Sequence, residues 1–345
     1  MAVENSPGVG VVIVAYNSGD VIEACVESVL RSNWKNLRVV VVDNASPDDS
    51  VARVEAVAER LGLPVSVRAA QEAAQEEATA SAGEPCRLTV LRSPGNLGFA
   101  GGVNLGLKAL LADDGVDLFW VLNPDCVAPP DTIAAYVRKA AQVGAFGLMS
   151  GRTLYHSDPP RIQSDGGRVN LWTGICTNVH QNMDPGAVAP PDVSTLDFFT
   201  GANMIASRRF LETVGCMPEE YFLYFEEVDW ALQRGELPLV LCPDAIVRHH
   251  VGTSIGSGSQ TRRPSPFANY FNYRNRLLFV RRNNPVALPV AYLYSLLKVG
   301  RLWLQGDREG ARGAFFGLNN LRPPADVRSK LPPETAARAF PGHGA

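Results

Sequence analysis

Several short segments carry residues able to do chemistry on a substrate bearing phosphates. In Phe119–Asp131 an apolar run, Phe119 to Leu122, stops at Asn123-Pro124-Asp125. Such runs form strands buried on both faces, and Pro124 lacks the N–H that a sheet ladder needs, so the chain must leave the sheet there. Ligands of open α/β sheets bind beyond the carboxyl ends of strands, and one Asp delivered there suits a divalent cation held against a diphosphate. The competing role for Asp125 is to cap the helix after Pro130. A second acidic group, Glu226-Glu227-Val228-Asp229, follows the aromatic Tyr221–Phe225. Carboxylates crowded in apolar surroundings repel one another and lose solvation, which raises one of them into the range of a general base. The plainer reading is a helix start, where acids meet the positive end of the dipole. A His pair, His249-His250, supplies neutral imidazole, a good ligand for Mn²⁺ that complements a single Asp; the plainer reading is a surface pair or one satisfied in the core.

Three further segments end strands or open helices. Tyr16-Asn17-Ser18 follows the first strand, and Asp43-Asn44 follows the second. A carboxylate at Asp43 can accept the imide N–H of a pyrimidine base, or it can cap the turn before Ser46. The stretch from Ser93 to Asn104, SPGNLGFAGGVN, leads glycines into a helix N-terminus, where backbone amides can approach phosphate oxygens. Its spacing matches neither a Walker loop nor GxGxxG, and a tight turn is the competing reading.

The elements that must position these residues alternate. Strands are expected at Val9–Ala15, Arg38–Val42, Leu88–Leu91 and Leu118–Leu122, and helices at Val21–Arg31, from Ser46-Pro47 to Arg60, and at Phe99–Ala112. That rhythm implies βαβ units and a mainly parallel sheet. Residues 69–85, rich in Ala, Gln and Glu, interrupt it as a low-complexity insertion with no catalytic role expected. Residues 157–191, heavy in Gly, Pro and Asp, are too long for a mere connection and are expected to form a functional surface of unspecified kind.

The chain has 345 residues, 46% apolar and 19% charged, with a net charge of −3. It is globular, has no basic excess, and nucleic acid is not an expected partner. Its 6 cysteines are scattered singly, which favours reduced thiols and a cytoplasmic protein. The N-terminus has no basic region of a signal peptide, and no uncharged apolar stretch reaches membrane-spanning length. From Phe267 the composition changes: aromatics and arginines crowd Tyr270–Arg282, and Val286–Leu304 is apolar but carries Lys298 and Arg301. Two readings stand level, an interfacial helix at the inner face of a membrane and a helix buried against the sheet.

Taken in order, VVIVAYNS, VVVDNAS, GNLGFAGGVNLGL, LNPD, FFTGANMIASRRFLETVG, FEEVDWALQRG and HHVGTS resemble a family 2 glycosyltransferase of the GT-A fold, close to its rhamnosyltransferase-like members. The resemblance covers about residues 9–283. It implies an α/β GT-A fold, Rossmann-like with a mainly parallel central sheet, over residues 1–265. A helical extension, aromatic and basic, is expected at 266–325, and a loose tail at 326–345. It implies donor binding by Ala15, Tyr16, Asn17, Asp43, Asn96, Gly101, Asn104, Asn123 and Gly201, and metal binding, Mg²⁺ or Mn²⁺, by Asp125 and His249. Asn123-Pro124-Asp125 resembles the family's DxD triplet with its first carboxylate replaced, and His249 heads an HxxGxS element. Glu227 aligns with the catalytic base, a Glu where the family usually has Asp, with Asp229 sharing or orienting that role. Phe198 or Trp230 is expected to stack on a sugar.

The implied reaction is a single inverting displacement from a dTDP- or UDP-sugar, dTDP-rhamnose favoured, to a hydroxyl of a glycan, lipid-linked glycan or natural product. Peripheral membrane contact through residues 270–304 is part of that reading, and oligomeric state is left open. The alternatives are a non-catalytic scaffold of a polysaccharide-assembly complex and a nucleotidyltransferase. The latter would need a basic residue after the first strand, where Tyr16–Asp20 has none.

Overall fold

The computed structural model describes residues 6–70, 87–250 and 263–343. All but the first two residues of the 69–85 insertion, and the last four of HHVGTS, lie outside the described residues. The first half alternates as expected: β1 (Gly8–Ala15), α1 (Gly19–Leu30), β2 (Leu37–Asp43), α2 (Ser50–Leu61), β3 (Val65–Ala69), β4 (Leu88–Arg92), α3 (Gly98–Leu111) and β5 (Val116–Leu122). Then come β6 (Cys126–Val127), α4 (Thr132–Val143), β7 (Leu148–Tyr155), β8 (Ile162–Ser164), β9 (Gly167–Asn170), β10 (Ile175–Asn178), β11 (Asn203–Ser207), α5 (Arg208–Val214), α6 (Glu226–Leu232) and β12 (Leu239–His249). The described chain closes with α7 (Pro266–Asn283), α8 (Leu288–Leu304), α9 (Arg308–Leu318), α10 (Ala325–Arg328) and α11 (Pro333–Ala339).

The main sheet runs β3-β4-β2-β1-β5-β11-β7-β12-β6, with β8 on the side of β7. From β3 to β5 every pairing is parallel, β11 runs antiparallel to both β5 and β7, and β12 is parallel to β7. Every residue of β1 is buried, as a parallel strand covered on both faces requires. Val9, Val11 and Ile13 pack on the side of α1, α2 and α4, while Val12 and Val14 pack on the side of α3, α6 and α7.

Two sequence expectations move. Helix α2 begins at Ser50 and not at Ser46-Pro47. The Asp48 carboxylate accepts from Gly19 N (2.8 Å) and from Ser50 N (3.1 Å), so residues 46–49 serve as a tie between two helix starts. At the other end, residues 326–345 are not loose as far as they are described. They carry α11 and the end of α10, and Val327, Leu331, Ala339 and Phe340 are buried against Tyr270 and Phe271 of α7. A Pro- and Ala-rich composition hid four apolar anchors spaced too irregularly to read as a face.

Candidate active site

Helix α3 lies tight on β1. A Cβ on Gly102 would come within 2.6 Å of Val14 Cγ1, and one on Gly106 within 2.5 Å of Val12 Cγ1, so these glycines serve close packing. The amides at the start of α3 are already used. Leu97 N donates to Asn44 Oδ1 (2.9 Å), Gly98 N to Asn96 Oδ1 (2.9 Å) and Phe99 N to the Phe222 carbonyl (2.9 Å). Three amides of the expected phosphate cradle are therefore spent inside the protein. What it does supply is a lock, since Asn44 Nδ2 also donates to Asn96 Oδ1 and Gly98 O, tying the end of β2 to the loop after β4.

Where β5 ends, Asn123 N donates to Ala202 O, and the chain turns through Pro124 into β6, which pairs with the end of β12. That pairing sets His249 opposite Cys126 and brings His249 Nε2 to 3.0 Å from Asp125 Oδ1, both residues being buried. His249 Nδ1 lies 2.8 Å from Gln163 Oε1. With the amide oxygen accepting, the ring is held with its proton on Nδ1 and its Nε2 lone pair turned toward Asp125. Gln163 is itself held by the fold, because β8 lies against β7 and Arg152 forms a two-pronged pair with Asp165 next to it (2.8 Å each). A carboxylate oxygen and an imidazole lone pair at this separation fit a divalent cation such as Mn²⁺ or Mg²⁺. Cys126 completes the cluster geometrically, but burial pushes its thiol well above its ordinary value, and Sγ donates to Ala202 O. It is no partner for a hard cation.

The acidic end is built differently. Phe222, Tyr224 and Phe225 all have left-handed backbone, φ 63°, 69° and 76°, a conformation costly for bulky residues. Helix α7 supports the strained turn. Asn275, fully buried, directs Nδ2 to the carbonyls of Tyr221 (2.8 Å), Leu223 (2.6 Å) and Tyr224 (3.1 Å), and Arg274 Nη2 donates to Tyr221 O (2.8 Å). From this turn α6 starts with Glu226 and Glu227. Glu226 is buried, with Oε2 lacking any hydrogen-bond partner among the described residues. Desolvation, and then the charge of Glu227, push the Glu226 carboxyl well above its ordinary value, and desolvation raises Glu227 to about 7.

Both ends open into one cavity of about 550 Å³. Its walls hold Tyr16, Asn96, Asn123, Asp125, Gly201, Glu227 and His249, so seven of the expected site residues converge from separate strands and loops. The others do not reach the wall. Ala15 is buried in β1, and Asn17 sits in a left-handed turn. Asp43 caps the turn, taking Ser46 N on Oδ1 (2.9 Å). Gly101 packs on Leu97, and Asn104 bonds Met217 and Glu219. Asp229 is fully buried and saturated by Tyr221 Oη (3.0 Å), Asn283 Nδ2 (2.9 Å) and Arg282 Nε (3.3 Å), so its carboxylate anchors α6. Trp230 is buried against Phe210, with its indole N–H on Gly215 O, and offers no face to a sugar; Phe198 lines a neighbouring cleft.

Sequence reasoning missed Gln163, Glu226 as a wall residue, Asn275 and Lys330. Lys330 is the one Lys or Arg among the described residues lining the cavity, and it comes from the segment read as a tail. Gln163, Asn178 and Gln181 all lie in the loop-rich 157–191 stretch, whose length was the available signal.

Residues 10–166 match the model of Glycosyl transferase family 2, a span that includes Asp125 and Gln163 and stops short of Glu227 and His249. The galactofuranosyltransferase GlfT1 of Mycobacterium tuberculosis is 29% identical over 203 residues, 56% of this chain and 64% of that protein. The low-salt glycan biosynthesis hexosyltransferase Agl10 of Haloferax volcanii is 26% identical over 195 residues, 54% of this chain and 58% of that protein. The chain thus spans less than two thirds of the length of these relatives. Among solved structures, GalNAc-T7 with UDP, GalNAc and Mn²⁺ superposes with a TM-score of 0.51 at 15% identity, covering 79% of this chain and 51% of that one. TarS of S. aureus with UDP-GlcNAc gives 0.50 at 14% identity, covering 97% and 89%. The expected GT-A fold is borne out, and the sequence matches support a family 2 glycosyltransferase.

Proposed function

We propose that this chain is an inverting, metal-dependent glycosyltransferase that moves a sugar from a nucleoside-diphosphate donor to a hydroxyl of a glycan, a lipid-linked glycan or a natural product. The observation that carries the reading is one cavity with a His249–Asp125 pair at 3.0 Å in one wall and the carboxylate of Glu227, raised to about 7, in another. A scaffold with a decayed site has no use for either feature.

Tyr16, Asn96 and Asn123 line the donor side of the cavity, and Ala15, Asn17 and Asp43 act from behind that wall, holding the ends of β1 and β2 in place. Gly101 and Asn104 act through the packing of α3, and Gly201 leaves room beside Glu227 and Phe99. Asp125 and His249 would hold a divalent cation, Mg²⁺ or Mn²⁺, which when bound stabilises negative charge on the departing diphosphate. Glu227, ionised, takes the proton of the acceptor hydroxyl. That oxygen bonds the anomeric carbon as the bond to the diphosphate oxygen breaks on the opposite face, and the configuration inverts. Asp229 positions α6 and touches no substrate.

The donor we favour is dTDP-rhamnose, on the likeness of the seven ordered motifs to rhamnosyltransferase-like proteins. The relatives named for galactofuranose and hexose transfer support a second reading, in which the donor is a nucleoside-diphosphate galactofuranose or hexose. A panel of dTDP- and UDP-sugars with Mg²⁺ or Mn²⁺ decides between them. Release of nucleoside diphosphate from one donor, abolished by EDTA, is the expected result. No release from any donor, with no shift of melting temperature by UDP or dTDP, would sink the enzymatic reading.

A further inference from the structure

The surface of α8 stands apart from the rest of the molecule. Of the 14 large apolar side chains exposed among the described residues, 7 lie between Val286 and Leu304. Val286, Val290, Leu293, Leu297 and Leu304 fall on one stripe, spaced by four, three, four and seven residues, and Leu293, Leu297 and Leu304 are 60%, 74% and 87% exposed. The opposite face, Ala291, Ser295 and Val299, is buried and pinned by polar contacts: Ser295 Oγ accepts from Arg276 (3.3 Å), and Tyr292 Oη donates to Asn319 (2.9 Å). The stripe is therefore a fixed feature of a helix held to its neighbours, not a frayed end.

Charge says what covers it. Helix α8 contains Lys298 and Arg301 and no acid, and Arg308 and Arg312 follow on α9 with Glu309 between them and Asp307 as its cap, so the cations still outnumber the acids. Lys298 lies over the ring of Tyr294, and Arg308 over the ring of Trp303, which is itself 57% exposed. This local excess of cations sits in a chain whose net charge is −3. A second copy packed face to face would bring the same cations together across a two-fold axis. An anionic lipid surface accepts both parts, the apolar stripe in the acyl boundary and the cations and indole at the headgroups. No helix among the described residues is long and apolar enough to cross a membrane, so the contact lies along the surface.

We propose that the exposed face of α8 docks the protein on an anionic bilayer. The expectation for residues 270–304 thereby narrows. Tyr270, Phe271 and Phe279 of α7 are fully buried, and Arg274 is committed to the carbonyls of Ala339 and Tyr221, so α7 is core and α8 is the contact. The inference does not depend on the proposed reaction.

The test is flotation of the full chain with vesicles of phosphatidylglycerol and phosphatidylcholine, and with phosphatidylcholine alone, at low and high salt. The wild type should float with the anionic vesicles and lose most of that binding in high salt. The double variant Leu293→Glu, Leu297→Glu should partition at least about tenfold less, and Lys298→Gln, Arg301→Gln should lose the preference for anionic lipid. An unchanged melting temperature in both variants keeps the fold out of the result. Absence of wild-type flotation, or wild-type flotation by the Leu variant, overturns the proposal. A wild-type dimer that the Leu variant abolishes, without flotation, overturns it too and assigns the face to a second copy.

Discussion

The two ends of the cavity reach their geometry by opposite routes. Asp125 and His249 come from the ends of sheet elements whose register is set by ladders of backbone hydrogen bonds. Their backbone needs no support beyond the sheet. Glu226 and Glu227 hang from a turn with three bulky left-handed residues, which Asn275 and Arg274 of α7 hold by its carbonyls. The Asp125–His249 end is thus a property of the sheet, whereas the acidic end is a property of the C-terminal extension. Strain at the acidic end has a use: it presents two carboxylates side by side in an apolar wall, where one of them titrates near neutrality.

Variants at the two ends should fail in different ways. The largest effect is expected from Glu227→Gln, with kcat reduced roughly 10²–10⁴-fold and nucleoside-diphosphate affinity kept, as measured by turnover and by titration calorimetry. Asp125→Asn should instead lose metal and nucleotide binding together; equal losses of affinity in both variants would erase the contrast. Next, Asn275→Leu removes the donor to three carbonyls and should lower kcat by about tenfold or more, with about 1–3 kcal/mol less stability, while metal and nucleotide affinities stay near wild type. If donor binding falls in step with kcat, the clamp serves the whole cavity and the division into two ends is wrong.

Gln163→Leu should weaken metal binding about 10–100-fold by freeing the His249 ring, with the pH profile of turnover unchanged; Mn²⁺ titration reads it directly. The smallest effect is on pH. With Glu227 in its proposed role as an ionised base and its carboxyl raised to about 7, kcat should rise with pH through that value and then level off. Glu226→Gln keeps an uncharged group beside Glu227 and should leave the inflection where it is, because burial raises Glu227 and not the charge of its neighbour. The same raised values have a stability sign. A carboxyl whose folded pKa exceeds its ordinary value keeps its proton in the fold, so its stabilisation is full below about 4.5 and is lost as pH rises through about 7. Melting temperature should therefore fall less across that window in Glu226→Gln than in wild type.

The contrast also explains what was legible in the sequence. Strand β1 reads directly from VGVVIVA because a parallel strand covered on both faces leaves no polar alternation, and LNPD reads as a strand end because proline stops the ladder. Gln163 was not legible, since a lone Gln in a Gly- and Pro-rich stretch has no periodicity, and its meaning depends on a β8–β7 pairing across a register shift. Asn275 was hidden for another reason. In a helix crowded with Tyr, Phe and Arg, an Asn looks like a polar surface residue until the carbonyls it meets, some fifty residues earlier in sequence, are known. For Asp229 the sequence left open whether it shares or orients the role of its neighbours, and its burial among Tyr221, Asn283 and Arg282 fits the orienting one.

The hydrogen bond from Phe99 N to the Phe222 carbonyl ties the first half to the strained turn, beside the β5–β11 ladder and the Asn104–Met217 contacts that join the halves elsewhere. It has a consequence for recombination. A chimera that exchanges the segment through the end of β7 for that of a relative should carry the donor preference of its new N-terminal half and keep the acceptor chemistry of the old C-terminal one. It can do so only if the incoming α3 starts where its first free amide still meets the Phe222 carbonyl. Shifted by one residue, the swap leaves both halves folded and the catalyst out of register.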